Sequence, residues 1–188
     1  MRFHEYSSLS GTHAILSASK YSWLNYDSEK MAATFRTAQA AALGTRLHEL
    51  AAEHIRLRMR MPRNNATFNR YVNDAIGYCM IPEQVLFYSM NAYGTADAIL
   101  FDEKKSFLRI HDLKTGSGRT KMDQLMIYQA FFCLEYHISP FDIESELRIY
   151  QDDDVRIFNP EASDIRSIMD RVVEFDQLIE SLKEEVNV

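Results

Sequence analysis

The sequence predicts an α/β fold, a central mixed β-sheet flanked by helices, in a single domain spanning all 188 residues. Three observations predict it. Residues 28–61 are rich in Ala, Leu, Glu and Arg, a helix-favouring composition. Residues 84–114 break into three short apolar runs separated by polar turns, which reads as a strand meander. The last thirty or so residues carry apolar positions at helical spacing. A chain of this length buries a real core, and 46% hydrophobic with 26% charged residues is ordinary for a globular protein. No apolar run approaches the ~18 residues of a membrane span, and no apolar leader follows Met1. Cytosolic residence without a membrane partner is the expectation.

Taken in order, residues 1–16 read as irregular, and Ser17 stands as N-cap of a helix carrying Tyr21, Trp23 and Leu24. The 28–61 helix is interrupted by Gly44, which marks a break or a close approach to another backbone, and Pro62 stops it. A shorter helix covers 66–80. Strands at 84–90, 94–101 and 106–114 follow, the last two joined by the turn Asp102-Glu103-Lys104-Lys105. The loop from Thr115 to Gly118 leads to a helix over 120–137, signalled by Thr120 with Asp123 three residues on. Lys121, Gln124 and Tyr128 share one face of it, while Met122, Leu125, Met126, Gln129 and Phe132 face the sheet. Residues 143–150 and 155–158 read as strands around Asp152-Asp153-Asp154, a solvated hairpin tip rather than a metal site. The final helix has Asn159 as N-cap, Pro160 at its first position, and one buried stripe from Ile165 through Ile168, Met169, Val172, Phe175 and Ile179 to Leu182.

The net charge of −6 excludes a global basic field, but its distribution is uneven. Arg56, Arg58, Arg60, Arg63 and Arg70 cluster in the first half, Lys114, Arg119 and Lys121 follow the third strand, and the acidic excess lies between residues 144 and 185. A local basic strip can bind phosphates, and the arginine cluster reads equally as a solvated helix face. Cys79 and Cys133 sit in apolar segments and read as buried free thiols, too few for a four-cysteine zinc or iron–sulfur site. His48 and His54 are six residues apart, about 600° around a helix, so the two-histidine zinc-protease arrangement fails on geometry.

The chemistry concentrates in the second and third strands. Each carries an aspartate, Asp97 and Asp112, where alternation predicts an apolar residue. A turn centred between Lys104 and Lys105 sets Phe101 opposite Leu108 and therefore Asp97 opposite Asp112. Carboxylates that close repel unless a cation lies between them. Oxygen ligands of this kind take Mg²⁺ or Mn²⁺, and Lys114, on the same face as Asp112, can stabilise charge on a phosphoryl group. The set suits phosphodiester hydrolysis.

Gly94-x-x-Asp97, then Asp112-Leu113-Lys114-Thr115-Gly116, then Gln124-x-x-x-Tyr128 resemble the PD-(D/E)XK nuclease superfamily. The branch they are most similar to holds the RecB-type nucleases and the related CRISPR-associated exonucleases, with phage recombination exonucleases nearby. Gly44-x-x-x-His48 resembles that branch's upstream helix, and Leu16-Ser17-Ala18-Ser19 its N-terminal stretch. The resemblance implies a restriction-endonuclease-like core and a Mg²⁺- or Mn²⁺-dependent deoxyribonuclease, an exonuclease of recombination, repair or phage DNA metabolism. The rivals are an endonuclease with the same site and an inactive nuclease fold that binds DNA or a protein. By the resemblance, Asp97, Asp112, His48 and the Leu113 carbonyl hold the metal and Lys114 is catalytic. Gln124 and Tyr128, with Lys121 and Arg119, contact the DNA strand, and Glu83 is a secondary candidate. The implied partners are linear or single-stranded DNA ends, a recombination protein and further copies of the chain. The cysteine set of the iron–sulfur members is missing, so no cluster is expected, which favours a compact phage or bacterial enzyme.

Overall fold

Consecutive apolar runs joined by tight turns pair with their neighbours, and five strands here line up in sequence order. The computed structural model describes residues 4–186 apart from 6, 10, 117 and 119, and the chain divides into two units, Met1–Leu43 and Gly44–Val188. In the second unit β1 (Ile81–Ser89), β2 (Ala92–Asp102) and β3 (Phe107–Leu113) form an antiparallel meander. β4 (Glu144–Gln151) then pairs parallel to β3, and β5 (Asp154–Phe158) antiparallel to β4. The parallel step requires a crossover, supplied by α3 (Asp123–Glu135). The fold is α/β with a five-stranded mixed sheet flanked by helices, as the sequence predicts, and is compatible with a restriction-endonuclease-like core.

Alternation along the strands builds two cores. Leu108 and Ile110 of β3, with Leu147 and Ile149 of β4, pack against Leu125 and Phe132 of α3 and Ile165 of α4 (Ala162–Val186). On the other face Ala98 and Leu113 meet Ala51 and Ile55 of α1 (Ser28–Arg56) and Tyr71, Val72 and Ala75 of α2 (Thr67–Gly77). Each fully buried aliphatic side chain contributes roughly 1.5–3 kcal/mol. Among the described residues no helix is long and apolar enough to cross a membrane.

Several expectations are corrected. Ser17 makes no capping hydrogen bond, and the helix after it, Ala18–Asn25, is of the 3-10 type; its Trp23 Nε1 donates to the Ser17 carbonyl at 3.0 Å. Asp27 instead accepts from the Lys30 N–H at 2.7 Å and starts α1. α1 ends at Arg56, six residues before Pro62, so proline is not what stops it. Asn159 does not cap α4; its Nδ2 donates to the Ser145 carbonyl at 2.9 Å and the helix begins at Ala162. α3 begins at Asp123 because Thr120 is engaged elsewhere, donating to Gln151 Oε1 at 2.9 Å and accepting from the Arg156 guanidinium. The α4 stripe is buried at Ile165 and Met169, but Phe175, Ile179 and Leu182 are exposed. Cys79 is exposed and only Cys133 is buried, both as free thiols. The aspartate tip is a two-residue turn with positive φ at Asp152 and Asp153, and Asp153 is more than solvated, since its Oδ1 accepts the Thr67 N–H at 2.8 Å and caps α2.

Candidate functional site

Strand register places the acids. Leu108 lies opposite Phe101, and the β2–β3 pairing runs to Ala98–His111, which brings Asp97 and Asp112, the next residues, to the same end of the two strands. On the other side of β2, the Pro82–Ala98 and Gln84–Ala96 pairs bracket Glu83 opposite Asp97. Three carboxylates therefore stand in a row across β1, β2 and β3. Glu83 adopts φ 53°, a left-handed conformation that costs a residue with a side chain about 1–2 kcal/mol.

His48 joins them from α1. The helix runs unbroken through Gly44, and the close approach there is to a side chain: a Cβ on Gly44 would stand 2.8 Å from Thr115 Oγ1. The missing side chain lets the segment after β3 lie against α1 one turn before His48. His48 Nδ1 lies 3.3 Å from Asp97 Oδ2, and this bond holds the imidazole pKa above its usual value against the opposing effect of burial. Asp97 Oδ2 also accepts the Leu113 N–H at 2.8 Å, so Leu113 enters through its backbone and fixes the carboxylate. Partial burial, with Asp97 opposite, raises the Glu83 pKa.

His48, Glu83 and Asp97 each offer a ligand atom, all within 4.8 Å of one another. Asp112 stands beside this trio rather than in it. Its Oδ1 accepts from Lys114 Nζ at 3.0 Å, and its Oδ2 is buried with no hydrogen-bond partner. Burial, then the Asp97 charge, pushes its pKa up to about 6. An orphaned carboxylate oxygen next to two further carboxylates and one imidazole is a donor set that hard divalent ions accept. These residues fit Mg²⁺ or Mn²⁺.

A second chain of contacts steadies the amine. Lys114 Nζ donates to Gln124 Oε1 at 2.8 Å, and Gln124 Nε2 donates to the Tyr128 hydroxyl at 2.9 Å. The Tyr128 ring fills the space above Gly94, where a Cβ would stand 2.8 Å from Cε1. The Gly94-x-x-Asp97 and Gln124-x-x-x-Tyr128 pieces of sequence are thus one packed unit. No protein-family model, curated protein or solved structure matches this chain.

Lys121 is corrected: it precedes α3, is exposed, and does not share a helical face with Gln124. Arg119 lies outside the described residues. Glu83, a secondary candidate by sequence, stands in one group with His48 and Asp97. His111 precedes Asp112 and lies outside the sequence motifs. That side chain is fully buried on the α2 side of β3, with Tyr150 Oη 3.3 Å from its Nδ1. Burial, with Arg148 and Arg109 near it, keeps the imidazole pKa low and the ring neutral.

Proposed function

We propose that this chain is a Mg²⁺- or Mn²⁺-dependent deoxyribonuclease of the PD-(D/E)XK kind, acting as an exonuclease on DNA ends. The observation that carries the reading is the unpartnered, buried Asp112 Oδ2 beside the His48–Glu83–Asp97 trio. His48, Glu83, Asp97 and Asp112 would hold the ion. When bound, such an ion lowers the pKa of water and offsets charge developing on a phosphoryl oxygen. Lys114 supplies a fixed positive charge at the same place, held by Asp112 and Gln124 so that little reorganisation is needed as phosphoryl charge grows. Tyr128 holds Gln124 and through it the amine. The Leu113 N–H orients the Asp97 carboxylate.

The test incubates the protein with end-labelled linear and closed circular DNA and Mn²⁺, beside Asp112→Ala and Lys114→Ala. Cleavage of linear DNA alone supports the exonuclease, and cleavage of both forms makes the enzyme an endonuclease. Binding without cleavage makes the chain a DNA-binding module, and activity that survives Asp112→Ala removes the mechanism.

A further inference from the structure

Apart from Arg56, whose charge lies near Glu83, the arginine cluster of the first half stands outside the carboxylate site, and it has a place of its own. Between His54 and Asn73 the sequence holds five arginines and no acidic residue, in a chain of net charge −6. Three of them, Arg60, Arg63 and Arg70, line a cleft of about 490 Å³ together with Asn64, Asn73 and Asp74. That volume lies within the range of ligand-binding clefts.

The cleft walls are fixed by hydrogen bonds. Asn73 accepts the Met61 N–H at 2.9 Å and donates to the Met61 carbonyl at 3.0 Å, pinning the segment that bears Arg60 and Arg63 against α2. Arg70 Nη1 donates to the Asp153 carbonyl at 3.2 Å, which orients its guanidinium. The acid in the lining is already compensated: Asp74 Oδ2 lies 3.6 Å from Arg148 Nη1 and accepts the Tyr150 hydroxyl at 2.8 Å. Among the described residues no ion pair engages Arg60 or Arg63. Guanidinium groups gathered in one cleft repel one another and gain most from an anion that accepts their paired N–H donors, the geometry a phosphate offers.

We propose that this cleft binds phosphate groups of a nucleic-acid strand, as a contact separate from the carboxylate site. The choice of a nucleic acid over a small phosphate rests on the nuclease reading. The cleft supplies sequence-independent affinity, and the carboxylate site supplies the reaction.

The test is fluorescence anisotropy of a labelled single-stranded oligonucleotide with the full chain in EDTA, between about 50 and 200 mM salt. Arg60→Gln/Arg63→Gln is expected to weaken binding and to reduce the slope of log affinity against log salt by about 1.4, two contacts at about 0.7 each. Arg60→Lys/Arg63→Lys is expected to recover most of the slope, because charge rather than shape sets it. An unchanged affinity and slope in the Gln variant overturns the proposal. So does arginine-dependent binding of pyrophosphate with oligonucleotide binding unaltered, which makes the cleft a small-anion site. A parallel Mn²⁺ cleavage assay separates the two readings: an arginine-dependent slope without cleavage keeps the cleft and removes the nuclease, and cleavage with an unchanged slope removes the cleft alone.

Discussion

Asp112 has one oxygen bonded to Lys114 and the other buried without a partner, so its charge is held at a cost to the fold. Its folded pKa of about 6 lies above the 3.8 of an unperturbed aspartate, so between those values the folded state binds the extra proton. The penalty is therefore complete above about pH 6 and relieved as pH falls toward 3.8. Asp112→Asn, which keeps an acceptor for Lys114, is expected to raise metal-free stability at pH 8 by on the order of 2 kcal/mol. That gain should shrink to nothing near pH 4 while DNA cleavage is lost at every pH. Denaturant titrations of both proteins across this range check the sign, and a gain that grows on acidification would refute it. Gln124 works at one remove from the chemistry. Gln124→Ala is expected to lower kcat roughly 10–100-fold by loosening Lys114, with little change in KM, as steady-state kinetics on linear DNA would read.

Helix ends account for most of the boundary differences. α1, α2 and α3 all close with an i to i+5 bond: Met59 N–H to the His54 carbonyl, Met80 to Ala75, and Ile138 to Cys133. The residues in the left-handed position are Arg58, Cys79 and His137, not glycine. A reading that looks for glycine or proline as the stop therefore runs each helix too far. The side chain costs about 1–2 kcal/mol there, and glycine's greater freedom in the unfolded chain returns about half of that. His137 is exposed, so His137→Gly is expected to stabilise the protein by about 0.5–1 kcal/mol, a Tm rise of roughly 1–4 °C. At the strand level, Gly94 has no room for a Cβ beneath Tyr128. Gly94→Ala is expected to displace that ring and, through Gln124, the amine; activity should fall while the Mn²⁺-induced Tm shift persists.

For the molecule as a whole, an ion that binds only the folded state stabilises it by mass action, about 2.7 kcal/mol at a hundredfold excess over Kd. Mn²⁺ is expected to raise the Tm of the wild type by roughly 5–10 °C and to leave Asp97→Ala unmoved, as a thermal scan with and without EDTA reads. Asp97 is the natural choice because it touches both His48 and the Leu113 N–H. The sequence by itself determined the α/β class, the strand meander and the Phe101–Leu108 register that brings Asp97 and Asp112 to the same end of their strands. Those follow from period-two alternation and the length of one turn, which are local quantities. Only the tertiary structure decided that Glu83 completes the row, that His48 reaches Asp97 past a bare Gly44, and that Asp112 turns one oxygen to Lys114 and leaves the other unpaired. It also decided that arginines from the segment after α1 and from α2 share one cleft. Those outcomes depend on how helices settle onto the sheet, and packing between residues far apart in the chain leaves no periodic trace in the sequence.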